Sequence, residues 1–263
     1  MNITENKVIA AESTHWYSGT GEPVYTVIAK GTGLPRPTTL KDARTMNLLP
    51  SVSGILNLAA KPGLDRWKQE QVLLSALTLL PRSDETEQAY VERILKDSQE
   101  QGLKARELGT SIHASIERSY LGETLSEHIT EVCATREAVF KHFGEVVWTA
   151  EKSFAHKMGY GGKCDLMSRD GAGITLDFKT SKFTSETKTS TLGYDENQVQ
   201  LSAYREGFGM PTARCANVFI STTQPGLVFV KEYTEDEMKR GWAMFQALLA
   251  YFQAKNKYAP VSL

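Results

Sequence analysis

Three residues in the middle of the chain have the types and the spacing for metal-assisted hydrolysis: Asp165, Asp177 and Lys179. They lie on Gly161 to Thr180, a stretch that reads as a β-hairpin. Arg169 to Gly173 supply turn residues, two of them glycine, between two runs of strand type. A turn centred on Gly171 sets position 165 opposite position 177. Two facing carboxylates repel and weaken an ordinary sheet. A divalent cation reverses that cost, because hard metals take oxygen ligands. Side chains two apart on a strand share a face, so Lys179 points the way of Asp177. Two carboxylates and an ammonium group therefore converge on one patch.

Four further segments stand ready to surround this patch. Upstream, Gly109, His113 and Glu117 recur every four residues and share one helix face. A glycine inside a helix costs about 1 kcal/mol relative to alanine, which a close approach by another backbone explains. Between Ile112 and Ile116, His113 is either a satisfied core histidine or a ligand. Glu117 either orients His113, binds a second metal or lies in solvent. Val146 to Ala155 alternates like a strand and carries Glu151, an exposed strand acid or a further site residue. In Thr180 to Thr191, eight of twelve residues are Ser or Thr. That segment reads as a mobile loop, either a solvated linker or a lid that brings Lys182 and Lys188 over a bound ligand. Tyr194 to Phe208 is a helix placing Gln200 and Tyr204 on one face, where both can reach phosphate or base groups.

The spacing Asp-(11 residues)-Asp-x-Lys, with Gly109-x-x-x-His113 before it and Gln200-x-x-x-Tyr204 after it, resembles the PD-(D/E)XK nuclease superfamily. Within it the chain resembles the RecB-type exonuclease branch, which includes phage exonucleases and the mitochondrial genome-maintenance exonuclease. The resemblance spans roughly residues 100 to 233. It implies Mg²⁺ or Mn²⁺ held by His113, Asp165, Asp177 and the backbone carbonyl of Phe178. Lys179 then orients the attacking water or stabilises the transition state, and Glu117 or Glu151 assists a second metal. The Gln200/Tyr204 helix is expected beside the metal. The implied activity is exonucleolytic hydrolysis of DNA from linear ends in phage-type recombination, replication or repair. A single-strand annealing or binding protein is the implied partner. Some relatives carry a four-cysteine iron–sulfur cluster, which three cysteines at positions 133, 164 and 215 cannot supply. Three rival readings remain: a non-cleaving DNA-end-binding subunit, an endonuclease of the same superfamily, and an enzyme acting on another phosphate ester. A complete Asp, Asp and Lys set speaks against the first, since a binding module needs no facing acids.

The bulk properties set bounds. At 263 residues and 41% hydrophobic content the chain can bury a real core. No run of about 18 apolar residues exists, so no membrane span is expected. Met1 to Ala11 lacks a signal pattern, which makes a cytoplasmic location, bacterial or in a phage-infected host, the expectation. Net charge is −1, so any nucleic-acid surface must concentrate its cations locally. The three cysteines read as small buried residues. No P-loop is present.

The expected fold is α/β, a central mixed sheet carrying the metal site, flanked by helices, with a largely helical N-terminal region. Residues 1–100 are expected to pack on a nuclease core of residues 101–263. Tyr25 to Ala29 is a short strand, and Ser51 or Ser53 caps the first helical region. Lys61-Pro62-Gly63 interrupts that region. An apolar face then runs Leu64, Trp67, Val72, Leu73, Leu77 and Leu80, with Trp67 in the core and Lys61, Arg66 and Lys68 in solvent. The next helix runs from Ser83–Glu87 to about Tyr120, with a break near Gly102. Thr130 to Phe143 turns Val132, Val139 and Phe140 inward. Arg214 to Ser221 and Leu227 to Tyr233 are strands, and Glu235 to Lys255 closes the fold with Met238, Phe245 and Leu249 buried.

Overall fold

Residues 15 to 261 are described by the computed structural model; Met1 to Ala11, read above for a leader, lie outside the described residues. The chain starts with short pieces: β1 (Trp16–Tyr17), β2 (Thr26–Ile28), β3 (Pro35–Pro37), α1 (Leu40–Met46), β4 (Leu49–Pro50) and α2 (Val52–Leu56). Ser51 caps α2, its hydroxyl accepting from the Gly54 N–H at 2.9 Å. Three longer helices follow: α3 (Pro62–Thr78), α4 (Glu87–Tyr120) and α5 (Ile129–Phe143). The hairpin strands come next, β5 (Thr149–His156), β6 (Tyr160–Ser168) and β7 (Ile174–Ser181). The last elements are α6 (Asp195–Gly207), β8 (Arg214–Ser221), β9 (Val228–Glu232) and α7 (Glu235–Asn256).

β5 to β9 form one mixed sheet in that spatial order. β5, β6 and β7 are antiparallel neighbours, whereas β7 and β8 run parallel. A parallel pair needs a long crossover, and α6 supplies it. Helices cover both faces. On one, Ile112 and Ile116 of α4 and Val132 and Val139 of α5 pack on Leu176, Phe178, Val218 and Ile220. On the other, α2, α6 and α7 bury Ile55, Leu201, Phe245 and Leu249. Because Leu176 and Phe178 face α4, alternation turns Asp177 and Lys179 toward α6.

The N-terminal pieces are built into this second core. β1 pairs with β4, and Ser51 bridges to Gly161 of β6. Trp16, Leu48 and Val52 share a core with α6 and α7. Residue 100, the expected boundary, falls inside α4.

Four expectations are corrected here. First, α4 runs unbroken through Gly102. A Cβ there would stand 3.6 Å from the Trp67 ring, so α3 packs on α4 at this point and the contact offsets the glycine's weak helix propensity. Second, Leu64, Leu73 and Leu77 of α3 and Leu80 beyond it are exposed, because α3 packs on α4 with its other face. Third, Phe140 is exposed on α5. Fourth, Cys133 is exposed, while Cys164 and Cys215 are buried. Among the described residues no helix is long and apolar enough to cross a membrane.

Candidate active site

The site lies where β6 and β7 part. Their ladder runs from Ser168–Ile174 to Leu166–Leu176, the register that a turn about Gly171 dictates. Gly171 and Gly173 take φ of 59° and 90°, which glycine adopts without steric cost. Asp165 and Asp177 occupy the next position, one step past the last paired residues. Instead of pairing, Asp165 accepts the Phe178 N–H on its Oδ2 at 2.6 Å. Asp177 is only 4% exposed. Its Oδ2 takes Lys179 Nζ at 2.6 Å and Asn217 Nδ2 at 2.9 Å. Asn217 also donates to the Asp177 carbonyl at 3.1 Å and accepts from the Tyr233 hydroxyl at 2.8 Å. Lys179 donates to Gln200 Oε1 at 2.9 Å, and Gln200 Nε2 donates to the Tyr204 hydroxyl at 2.8 Å. One polar chain thus ties β7 to α6 and to β8.

Charge and burial act together in this chain. Burial raises the Asp165 carboxyl well above the usual carboxylate range, and Asp177 raises it further; the Phe178 N–H, Lys179 and Lys163 act the other way. Burial disfavours a charged Lys179, but the neighbouring Asp177 outweighs it and holds the ammonium form. Burial, then Asp177, pushes the Tyr204 phenol up.

α4 brings His113 up to β7 from the other side of the sheet. Its ring stands edge-on to Phe178, with centroids 6.1 Å apart. Burial lowers its pKa to about 4, with Asp177 opposing and Lys179 assisting. His113 Nε2 is buried and has no hydrogen-bond partner, whereas buried polar atoms are nearly always satisfied. Gly109 permits the close approach. A Cβ there would fall 2.6 Å from Thr180 Oγ1, so a side chain of β7, not the expected backbone, presses on this glycine.

The remaining expected residues divide. Glu151 sits between the pairs Ala150–Leu166 and Lys152–Cys164, opposite Asp165. Its φ of 52° is uncommon outside glycine, and its carboxylate pairs with Lys163. This residue breaks the strand's alternation: Ala150 packs on the α4/α5 side and Phe154, of the same parity, on the α6/α7 side. Glu117 lies half-buried one turn past His113 and leaves the His113 Nε2 unpaired. Lys182 and Lys188 are exposed on the Ser/Thr-rich loop. That loop, expected to be mobile, is anchored. Phe183 packs with Leu192 and Phe219, and its carbonyl accepts from Ser221 Oγ at 2.5 Å and Thr223 Oγ1 at 2.7 Å.

Sequence reading missed Asn217, Tyr233 and Lys163. Asn217 did leave a signal, as the lone amide inside the apolar run Cys215 to Ile220. A buried amide in a central strand needs a partner, and here the partner is Asp177. Among the described residues no three His, Cys, Asp or Glu side chains stand together as a metal-holding cluster. Lys179 pairs with Asp177 in this structure, and with Lys163 it supplies positive charge to Asp165.

No protein-family model matches the chain, and no curated protein matches it. Among solved structures it is similar, at 14% identity and a TM-score of 0.34, to an alkaline exonuclease (LHK-Exo) from Laribacter hongkongensis, covering 73% of this chain and 97% of that one. It is also similar, at 15% identity and a TM-score of 0.32, to the crystal structure of SSO0001, covering 70% of this chain and 86% of that one. Likenesses this slight assign no activity, and the functional reading stands on the site itself.

Proposed function

We propose that this protein is a metal-dependent nuclease that hydrolyses DNA phosphodiester bonds from ends. The observation that carries the reading is the convergence of Asp165, Asp177 and Lys179 at the point where β6 and β7 part. A structural ion pair needs one acid; the second buried acid beside it is a cost unless the patch serves a cation or a reaction.

The residues fit a divalent metal by the chemistry of their donors. Two carboxylates supply hard oxygen ligands, and the orphaned His113 Nε2 is a buried nitrogen without a partner. His113, Asp165, Asp177 and the Phe178 carbonyl would hold Mg²⁺ or Mn²⁺, with Glu117 or Glu151 assisting a second ion. Such an ion supplies charge neutralisation at a scissile phosphate and eases deprotonation of an attacking water. Lys179 brings a fixed ammonium to the charge that builds on the phosphoryl oxygens, and Gln200 orients that ammonium. Tyr204 holds Gln200 in turn. Asn217 keeps the Asp177 carboxylate turned toward the fork.

The test incubates the protein with linear DNA and magnesium and measures acid-soluble nucleotides. The wild type should release them and stop in excess chelator. Lys179→Ala should still bind DNA and lose about 10²–10³ in rate, the usual worth of a group that stabilises transition-state charge. Turnover in chelator would remove the metal from the reading. DNA-end binding with no release by the wild type would favour the non-cleaving subunit instead.

A further inference from the structure

A cleft of about 340 Å³ opens beside the polar chain, between α2, the first turn of α3 and the first turn of α6. Lys179 and Gln200 form part of its wall, so it is continuous with the candidate active site. Its size is that of a small-molecule site, which typically spans about 300–1,000 Å³, and far too small for a duplex. Leu56, Pro62 and Leu64 make an apolar wall, and Tyr194 adds an aromatic one. Tyr194 is 66% exposed, which leaves its ring open to a ligand in the cleft. Gly63 makes room for it: a Cβ there would meet the Tyr194 ring at 3.1 Å. The polar lining is of two kinds. Lys61, held by Asn57 Oδ1 at 2.6 Å, and Lys179, paired with Asp177, both line this cleft. Asn57 and Asn197 offer neutral donors and acceptors, and the Glu196 carboxylate an acceptor, of the types that bind base edges and sugar hydroxyls.

A second cleft of about 370 Å³ lies against the first and shares Tyr194. Ala59, Val199, Met244 and Leu248 line it with Asp195 and Glu196, and no lysine or arginine does. Glu196 lines both clefts, but only the first has lysines on its wall to meet an anion.

We propose that the first cleft is a mononucleotide pocket: it receives the terminal nucleotide of a single strand, base against Tyr194 and phosphate between Lys61 and Lys179. The identity of this occupant rests on the nuclease reading, but binding can be measured without cleavage. It also names the substrate as a strand whose last nucleotide is splayed from any partner. Lys61 read as a solvated residue in sequence; the fold places it on the wall of the cleft that Lys179 also lines.

The test titrates the full chain with dAMP in the presence of chelator, by calorimetry, with deoxyadenosine and inorganic phosphate as controls. The wild type should bind dAMP more tightly than either control. Tyr194→Ala should weaken dAMP by about tenfold or more, since base stacking on an aromatic side chain is worth that much. Tyr194→Phe keeps the ring and should bind as the wild type does. Lys61→Met should weaken dAMP while leaving deoxyadenosine unchanged. Tyr194 and Lys61 both lie at the surface, and the Phe variant guards against misreading a folding defect. Equal dAMP affinity in wild type, Tyr194→Ala and Lys61→Met overturns the pocket, as does phosphate binding as tightly as dAMP. The expected pattern with no degradation of linear DNA leaves the pocket standing and removes the nuclease. Degradation with dAMP binding indifferent to Tyr194 and Lys61 does the reverse.

Discussion

Asn217 shows how much of this site is held by a residue without chemistry of its own. It is fully buried in β8 and spends both amide hydrogens on Asp177, one on the carbonyl and one on the carboxylate. The Tyr233 hydroxyl fixes which way the amide points, by donating to its oxygen. Asn217→Ala leaves those acceptors and the hydroxyl unpaired in a dry interior. Such groups cost about 1–3 kcal/mol each way they are stranded, so the variant should melt several degrees lower and cleave more slowly. Thermal denaturation checks the first, and release of acid-soluble nucleotides the second. A variant that melts and cleaves like the wild type would show that Asp177 needs no such support.

At the scale of elements, the distance between α4 and β7 decides whether His113 can serve the same patch as Asp177. Gly109 sets that distance, since Thr180 Oγ1 already fills the space a Cβ would need. Gly109→Ala improves helix propensity by about 1 kcal/mol yet forces the helix or the threonine to move. It should reduce metal-dependent cleavage sharply, and adding Thr180→Ala should restore it, because the threonine Cβ stands 3.8 Å from the new methyl. Failure of the second change to rescue the first would mean that spacing is not what Gly109 provides. The turn between α3 and α4 has its own clamp. Arg93 donates to both Glu85 carboxylate oxygens, at 2.8 and 2.7 Å, and to the Leu80 carbonyl at 3.0 Å. Arg93 holds the Glu85 carboxyl down to about 2, against an ordinary 4.5, in spite of burial. A carboxyl with a depressed folded pKa contributes its full stability above the unfolded value and loses it as pH falls through the folded one. The difference in melting temperature between wild type and Arg93→Met should thus be constant above about pH 4.5 and shrink toward pH 2. A difference that persists undiminished at pH 2 would rule the clamp out.

For the whole molecule, the near-neutral charge constrains how the proposed substrate, DNA, would be engaged. Non-specific duplex binding is mostly phosphate electrostatics, and a net charge of −1 offers little of it. Cations gathered locally, with Lys179 and Lys61 on one cleft, suit capture of a strand end better than sliding along a helix. Degradation should therefore require a free end. At matched metal and low salt, a linear molecule should disappear while the covalently closed circle of the same sequence persists. Rapid nicking of the closed circle would move the protein to the endonucleases with its site unchanged.

What the sequence determined by itself is what acts over short range. The turn residues around Gly171 set the β6–β7 register, and with it the facing of Asp165 and Asp177, because a hairpin's pairing follows from its own turn. Helical spacing put Gln200 with Tyr204, and Ser51 at a cap, for the same reason. The α/β class followed from the order of such local patterns. Only the tertiary structure decided which faces meet. It left Leu73 and Leu77 in solvent, carried α4 straight through Gly102 on the Trp67 ring, and anchored the Ser/Thr loop through Phe183. It also joined Asn217, Tyr233 and Asp177, which are far apart in the chain. Hydrophobic patterning states that a face is apolar; burial depends on whether another element arrives to cover it, and a lone polar residue's partner depends on which strand lands beside it.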